Sequence, residues 1–133
     1  MAAFHLQIVT PDGLKFDGDS EEIVVRTVSG DVGILAGHIS YMAPIAVGEL
    51  RVKRDGAFRS AAVSGGFVST DGKETQIICT TCEWADEIDE ERAKKARELA
   101  EQRLKEKLSA RELSLAEAKL SRAINRLKVS AKR

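Results

Sequence analysis

The chain has 133 residues, of which 43% are hydrophobic and 32% charged, and equal numbers of basic and acidic side chains give a formal net charge of zero. This composition is typical of one soluble domain with a modest core, or of one small domain with an appendage, and gives no reason to expect a nucleic-acid partner. No apolar run approaches the roughly 18 residues of a membrane span, and the N-terminus has no cationic leader, so we expect a cytoplasmic protein.

The N-terminal part of the chain has the pattern of short antiparallel strands. Apolar and polar residues alternate over residues 4–10, and a run rich in β-branched residues covers residues 22–28. Pro11-Asp12-Gly13 supplies turn chemistry, and Asp55-Gly56 and Asp71-Gly72 each separate two strand-like runs, as in β-hairpins. These signals predict an antiparallel β-sandwich or barrel over the first domain, residues 1–86.

A glycine-rich segment, residues 30–38, interrupts this pattern. It holds three glycines, Gly30, Gly33 and Gly37. That is more than hairpin turns need, so we expect a loop here, either a tight corner of the sandwich or a contact with a partner.

Cys79 and Cys82 form a lone C-x-x-C pair. A zinc site needs two more ligands, and the two histidines, His5 and His38, are far away in sequence. We therefore expect reduced structural thiols and no metal site.

After Asp86 the hydrophobic period changes to that of a helix, and Asp86 or Asp89 can cap its start. Residues 109–112 and 114–117 are alternative capping boxes for a second helix. Residues 87–133 are thus predicted to form an antiparallel two-helix hairpin, which makes the fold α+β. The predicted apolar stripes are Ala93, Ala96, Ala100 and Leu104, with Leu99 beside them, and then Leu113, Ala116, Leu120, Ile124, Leu127 and Ala131.

The zero net charge conceals a division along the chain. Residues 1–86 hold 7 basic and 12 acidic side chains, whereas residues 87–133 hold 14 and 9. No acid follows Glu117, so the C-terminal end should seek an acidic surface or an anionic ligand, unless it is simply a solvated tail. The uncompensated cations there are Lys119, Arg122, Arg126, Lys128, Lys132 and Arg133.

The helical register predicts where some of these cations meet the first helix. A turn centred near residue 109 places Arg92 and Arg126 at the same level, with Arg122 one turn away. Three guanidinium groups near Asp89 suit a phosphate chain, and a surface ion-pair network is the alternative.

Three motifs are the glycine-rich segment 30–38, then Ser64-Gly65-Gly66-Phe67-Val68, and Ile88-Asp89-Glu90-Glu91-Arg92-Ala93. Together they resemble the epsilon subunit of bacterial F-type ATP synthases over essentially the whole chain, with Ala36 and Ser40 where that family usually has prolines. The third fits the family's nucleotide-binding pattern of isoleucine or leucine, aspartate, two free positions, arginine and alanine.

The resemblance implies a non-catalytic, regulatory central-stalk subunit of a proton-translocating ATP synthase, at the cytoplasmic face of the cell membrane. Such a subunit is peripheral and is held at the membrane only through the complex. Its sandwich would dock on the gamma subunit and on the c-ring, with Asp31 and His38 near the contact. Its hairpin would extend toward the alpha and beta subunits and inhibit ATP hydrolysis.

The resemblance also implies ATP as a regulatory ligand that favours the compact hairpin; whether Mg²⁺ accompanies it stays open. Leu99 stands where ATP-binding members can carry a further arginine. The chain has no G-x-x-x-x-G-K-[ST] loop that would indicate nucleotide hydrolysis. The matching positions are Glu83, Ile88, Asp89, Arg92, Ala93, Arg122 and Arg126.

Other functions stay open at this point. A purely structural stalk adaptor would use the same arginines in salt bridges and bind no nucleotide. An enzyme built on Cys79 and Cys82 would show redox-dependent activity.

Overall fold

A computed structural model describes residues 2–132. The chain divides after Trp84 into a β unit and a helical unit. This division lies two residues before the boundary that the sequence predicts.

The β unit is a single eight-stranded sheet. Its spatial order is β2-β1-β8-β7-β6-β3-β4, and β5 pairs with β7 beyond the end of β6. The strands are β1 Phe4–Thr10, β2 Gly13–Ser20, β3 Glu22–Thr27, β4 Gly30–Leu35, β5 Tyr41–Pro44, β6 Gly48–Arg54, β7 Ala57–Thr70 and β8 Glu74–Trp84.

The sheet folds over one core, which makes the unit a sandwich. Alternate residues of strands from both halves of the sheet belong to the same buried cluster. Large side chains in this cluster are completely or almost completely buried, and their burial is the main favourable contribution to the stability of the unit. They include Leu6, Ile8, Ile23, Val25, Leu50, Val52 and Ile77.

The long strand β7 changes its neighbour at a pair of glycines. Up to Val63 it pairs with β6, and from Phe67 it pairs with β5. Between these segments, Gly65 and Gly66 have φ of +63° and +121°, a region that residues with a side chain rarely adopt. The glycines of the Ser64–Val68 motif therefore allow the bend that forms the sandwich.

The predicted hairpins are confirmed, and two other expectations are wrong. Strands β1 and β2, β6 and β7, and β7 and β8 are antiparallel pairs joined at the predicted turns. The sheet is not entirely antiparallel, because β1 and β8 pair in parallel. Residues 30–35, expected in a loop, form the edge strand β4, because their backbone completes a ladder with β3.

The helical unit starts with a 3₁₀ turn, Ala85–Glu87, followed by α1, Glu90–Leu104, and α2, Ala110–Ser130. Asp89 caps α1 and Ser109 caps α2. The Ser109 hydroxyl accepts a hydrogen bond from the Glu112 N–H at 3.2 Å and donates one to the Glu112 carboxylate at 3.1 Å. The first of the two predicted capping boxes is therefore the one that forms.

Most of the buried residues of the two helices are alanines. Ala93 and Ala100 on α1, and Ala116 and Ala123 on α2, are buried. Each pair is two helical turns apart on its own helix, so the two helices match in spacing. Small side chains let the backbones approach closely but bury little area, and the hairpin is held together by modest packing.

The predicted stripes are confirmed at Ala93, Ala100 and Ala116, which are buried, and are wrong at some other positions. Leu113 is 40% exposed, and Ala131 and Leu99 are also exposed. Ala123, which was not predicted, is buried instead. The cause is the period of 3.6 residues, which turns positions near the ends of a long stripe away from the partner helix.

Candidate functional site

The start of α1 carries the central residues of the nucleotide-binding pattern. Asp89 is the N-cap, and its Oδ1 atom accepts a hydrogen bond from the backbone N–H of Arg92 at 3.1 Å. The Arg92 side chain is exposed. The Asp89 carboxylate thus already has a structural function, as is common at helix starts.

An ion pair joins the two helices across the link and indicates their register. Arg103 Nη2, near the end of α1, lies 3.2 Å from Glu112 Oε2, near the start of α2. The link, residues 105–109, is centred on residue 107. The predicted turn centre near residue 109 is therefore wrong, because the first capping box starts α2 early and shortens the link.

The corrected register changes which residues are level with each other. Equal steps from Arg103 back along α1 and from Glu112 forward along α2 bring Asp89 level with Arg126, and Arg92 level with Ala123. The prediction that Arg92 is level with Arg126 is therefore wrong. Along the hairpin axis Arg92 lies at a level between those of Arg122 and Arg126. Both arginines still lie at the end of the hairpin where α1 begins.

A groove of about 330 Å³ runs along one side of the hairpin. Its volume is in the range of small-molecule sites. Its lining combines an apolar floor with basic side chains from α2. The lining residues are Ala96, Leu99, Ala100, Arg103, Glu112, Leu115, Ala116, Lys119, Arg122 and Arg126.

Arg122 and Arg126 both line this groove, one turn apart on α2, and both are half-buried. Within residues 2–132, Asp89, Arg92 and Ala93 do not contribute to its lining. Leu99 contributes a side chain that is 63% exposed. An arginine at this position would extend the row of guanidinium groups along the groove.

The other predicted nucleotide positions are spread over the two units. Glu83 lies near the end of β8 and is half-buried, whereas Ile88 and Ala93 are buried in the helical unit. Arg133, one of the predicted C-terminal cations, lies outside the described residues. By this register Asp89, Arg92, Arg122 and Arg126 belong to the same end of the hairpin, and Glu83 belongs to the sandwich.

The two predicted subunit-contact residues lie at the β4 edge of the sandwich. Asp31 accepts hydrogen bonds from Arg26 Nε at 2.6 Å and from Arg26 Nη2 at 3.4 Å, and this contact raises the pKa of Arg26. His38 follows β4, and its ring meets the ring of Tyr41 edge-on with 5.7 Å between centroids. Next to His38, Ile39 is 79% exposed, which gives this edge an apolar element beside its charges.

An exposed apolar row, which the sequence reasoning missed, crosses the outer face of the sheet. It consists of directly paired residues from five neighbouring strands: Leu14, Val9, Ile78, Phe67 and Pro44. Leu14, Ile78 and Phe67 are each about half exposed. The sequence signal was the run Ile77-Ile78-Cys79, where a large apolar side chain takes the outward position of an alternating strand.

Cys79 and Cys82 are both buried in β8 and are not joined by a disulfide. A hydrogen bond with Cys82 lowers the pKa of the Cys79 thiol, and burial partly opposes this shift. Among residues 2–132 no group of three or more side chains is arranged to hold a metal ion.

Comparison with known proteins gives the family of this chain. Residues 3–85 match the β-sandwich domain of the ATP synthase delta/epsilon chain, and residues 86–131 match its long α-helix domain. The chain is 42% identical to the ATP synthase epsilon chain of Ruminococcus albus over the full length of both. The chain belongs to the ATP synthase epsilon chain family. It is also 44% identical to the Bacillus velezensis epsilon chain, with 98% of each chain covered.

Solved structures share the fold of this epsilon-family chain. A chain of the Euglena gracilis mitochondrial ATP synthase, in a structure of OSCP, F1 and c-ring, aligns with a TM-score of 0.84 and 24% identity. That alignment covers 100% of this chain and 83% of the other. A chain of the Tetrahymena thermophila central stalk and c-ring aligns with a TM-score of 0.65 and 13% identity, over 96% of both chains.

Family membership confirms the predicted α+β fold of a sandwich followed by two helices. An epsilon chain is a non-catalytic subunit of ATP synthase. Within residues 2–132 no helix is both long enough and apolar enough to cross a membrane.

Proposed function

We propose that this epsilon-family chain is a regulatory subunit of the central stalk of a proton-translocating ATP synthase, peripheral to the cytoplasmic face of the membrane. Its sandwich docks on the gamma subunit and the c-ring. Its hairpin has a compact state, in which α1 and α2 pack together, and an extended state that reaches the alpha and beta subunits and inhibits ATP hydrolysis. ATP binds the compact state and favours it.

The observation that carries the nucleotide proposal is the position of Arg122 and Arg126. Both are half-buried, line one groove and lie level with the capped start of α1. Guanidinium groups form short, charge-assisted hydrogen bonds to phosphate oxygens, and partial burial strengthens such contacts. The register brings Asp89 level with Arg126, which supports a function of Asp89 in orienting that arginine or in accepting a hydrogen bond from the ligand.

The hairpin packing supports a two-state regulatory element. The buried residues of α1 and α2 are mostly alanines, so we expect separation of the helices to expose little apolar area. A ligand that binds only the compact state stabilises it by RT ln(1 + [L]/Kd), about 2.7 kcal/mol at a hundredfold excess over Kd. A shift of this size moves an equilibrium between nearly balanced states almost completely to one side.

The apolar row supports docking of the sandwich on another subunit. An exposed apolar strip that crosses five strands is larger than the isolated apolar residues of an ordinary surface. Phe67 and Ile78, at its centre, are direct cross-strand partners. Aromatic and aliphatic side chains of this kind are common anchors of protein interfaces.

The test of the nucleotide proposal is isothermal titration of the full chain with ATP, with and without Mg²⁺. We expect saturable binding that Arg126→Ala and Arg92→Ala weaken at least tenfold, because each loses a charged contact. Arg111→Ala is the matched control, since Arg111 is exposed and is not part of the groove lining. Unchanged binding in either site variant would remove the proposed site.

A second candidate is a purely structural stalk adaptor that binds no nucleotide. The cap formed by Asp89 and the ion pairs of Arg103 favour it, because they give these side chains a structural function without a ligand. Equal melting temperatures with and without millimolar ATP, together with normal assembly into the complex, would support the adaptor and exclude ATP regulation.

A further inference from the structure

The outer face of the sheet has three parallel rows of different chemistry. The apolar row crosses it at one end. A middle row of direct strand partners is mainly polar and contains Asp17, Gln7, Gln76, Ser69 and Met42. At the far end a third row, here named the ionisable row, contains Asp19, His5 and Glu74.

The ionisable row is organised around His5. The His5 Nε2 atom contacts the carboxylate of Asp17, its diagonal neighbour on β2. The Nδ1 atom lies 3.9 Å from Glu74 Oε1 on β8. The groups that face the imidazole are Asp17 and Asp19 from β2 and Glu74 from β8. All of them are carboxylates, so the row is negative when the histidine is neutral.

The apolar and ionisable rows have a fixed separation. They lie four residues apart along β1, from Val9 to His5. At roughly 3.3 Å per residue, the carboxylates stand about 13 Å to one side of the apolar row. A partner that covers Phe67 and Ile78 therefore also reaches the carboxylates, because a standard interface is wider than this distance.

We propose that the outer face docks on a protein surface that carries an apolar ridge with lysine or arginine side chains about 13 Å to one side, and that protonation of His5 weakens this docking. The inference rests on the proposed docking of the sandwich on the gamma subunit and adds the chemistry that the gamma surface must have. Charge complementarity selects this partner, because the face offers carboxylates and no exposed cation in its ionisable row other than protonated His5.

The charge of the row depends on pH through His5. The hydrogen bond to Asp17, and then the charges of Asp17, Glu74 and Asp19, raise the pKa of His5 above its ordinary value. At a pH above this value the ionisable row and the adjacent Asp17 together present three carboxylates and a neutral imidazole. At a lower pH the imidazolium neutralises part of the row, so attraction to a basic partner decreases.

The experiment measures binding of the full chain to an immobilised subcomplex of alpha, beta and gamma subunits from the same synthase. The key variant is Asp17→Asn combined with Glu74→Gln. Asp12→Asn is the matched control, because Asp12 is exposed in the turn at the opposite end of the β1–β2 hairpin and its loss also removes negative charge. His5→Gln tests the pH dependence, and Phe67→Ser tests the docking itself.

We expect the double variant to bind about threefold to tenfold more weakly, mainly through a slower association rate and a smaller salt dependence. Wild-type binding should weaken as pH falls through the pKa of His5, and binding of His5→Gln should not change over this range. Asp12→Asn should bind like the wild type. Circular dichroism of each variant confirms that the sandwich is folded.

The outcomes separate the inference from the proposed function. If Phe67→Ser abolishes binding but the double variant keeps wild-type affinity and salt dependence, the docking face is right and the basic partner is wrong. If Phe67→Ser also binds normally, the docking face itself is wrong. If the binding affinity of His5→Gln falls with pH as in the wild type, the proposal that protonation of His5 weakens docking is wrong.

Discussion

Arg103 and Glu112 face each other across the link of the hairpin, with 3.2 Å between Nη2 and Oε2. Arg103 also pairs with Glu106 at 2.7 Å, so one guanidinium group contacts carboxylates on both sides of the helix end. Equal helical rise on both sides of this pair gives the level of Arg122 and Arg126 relative to the start of α1. We therefore expect the geometry of the proposed nucleotide site to depend on the register at the other end of the hairpin.

The cap that begins α2 controls the same register. We expect Ser109→Ala to destabilise the helical unit by about 1 kcal/mol, because the orphan N–H of Glu112 loses its acceptor. Ser114→Ala is the control: it removes the hydroxyl of the rival capping box at an exposed position inside α2. Urea unfolding followed by circular dichroism measures both. Equal effects of the two substitutions would contradict the observed helix start.

Leu99 lines the groove at a position where ATP-binding family members can carry an arginine, so its effect on ATP affinity can be tested. Leu99→Arg places a guanidinium group beside those of Arg122 and Arg126, and we expect it to tighten ATP binding about tenfold. Leu113→Arg adds the same charge to an exposed position of α2 outside the groove lining and should leave the affinity within about twofold. Calorimetric titration with ATP measures the affinity of both variants. An equal increase in affinity in the two variants would indicate a general charge effect and no defined site.

The raised pKa of His5 predicts how the stability of the sandwich depends on pH. Its pKa is raised in the folded state, so folding favours the protonated imidazole. The stabilisation is fully present below the unfolded-state pKa of about 6.5 and is lost as pH rises through the higher folded-state value. The difference in unfolding free energy between wild type and His5→Gln should therefore be larger at about pH 5.5 than at about pH 9. A difference that grows with pH would have the wrong sign.

The sequence predicts the fold well because its signals are local. Turn pairs such as Asp55-Gly56 and the capping residue Asp89 act within a few positions, and the structure uses them as expected. The parallel pairing of β1 with β8 was missed because it joins the two ends of the sandwich, and no local pattern encodes such a contact.

The residues of the candidate site could be predicted from the sequence, but their relative levels could not, because the levels depend on the packing of two helices. The helical register and the family resemblance predict Arg122 and Arg126 as site residues, but their level relative to Arg92 depends on which capping box starts α2. A choice between Ser109 and Ser114 is a small difference in local free energy. The apolar row was missed because burial of Ile78 or Phe67 depends on which face of the sheet is covered, a tertiary property.

Gly66 gives the sharpest prediction for the sandwich. A Cβ atom at this position would overlap the carbonyl oxygen of Ile78 and lie 2.7 Å from its carbonyl carbon, and φ is +121°. Neither the backbone of β8 nor this conformation adapts to a side chain, so we expect Gly66→Ala to destabilise the unit by several kcal/mol, about 3 or more. Gly18→Ala is the control, because a Cβ there meets the ring of Phe16 at 3.4 Å, an ordinary contact. Thermal unfolding compares the two variants, and a mild effect of Gly66→Ala would mean that β7 does not bend at this glycine. Since Phe67 follows directly, loss of this bend would also displace the centre of the apolar row and should weaken docking on the gamma subunit.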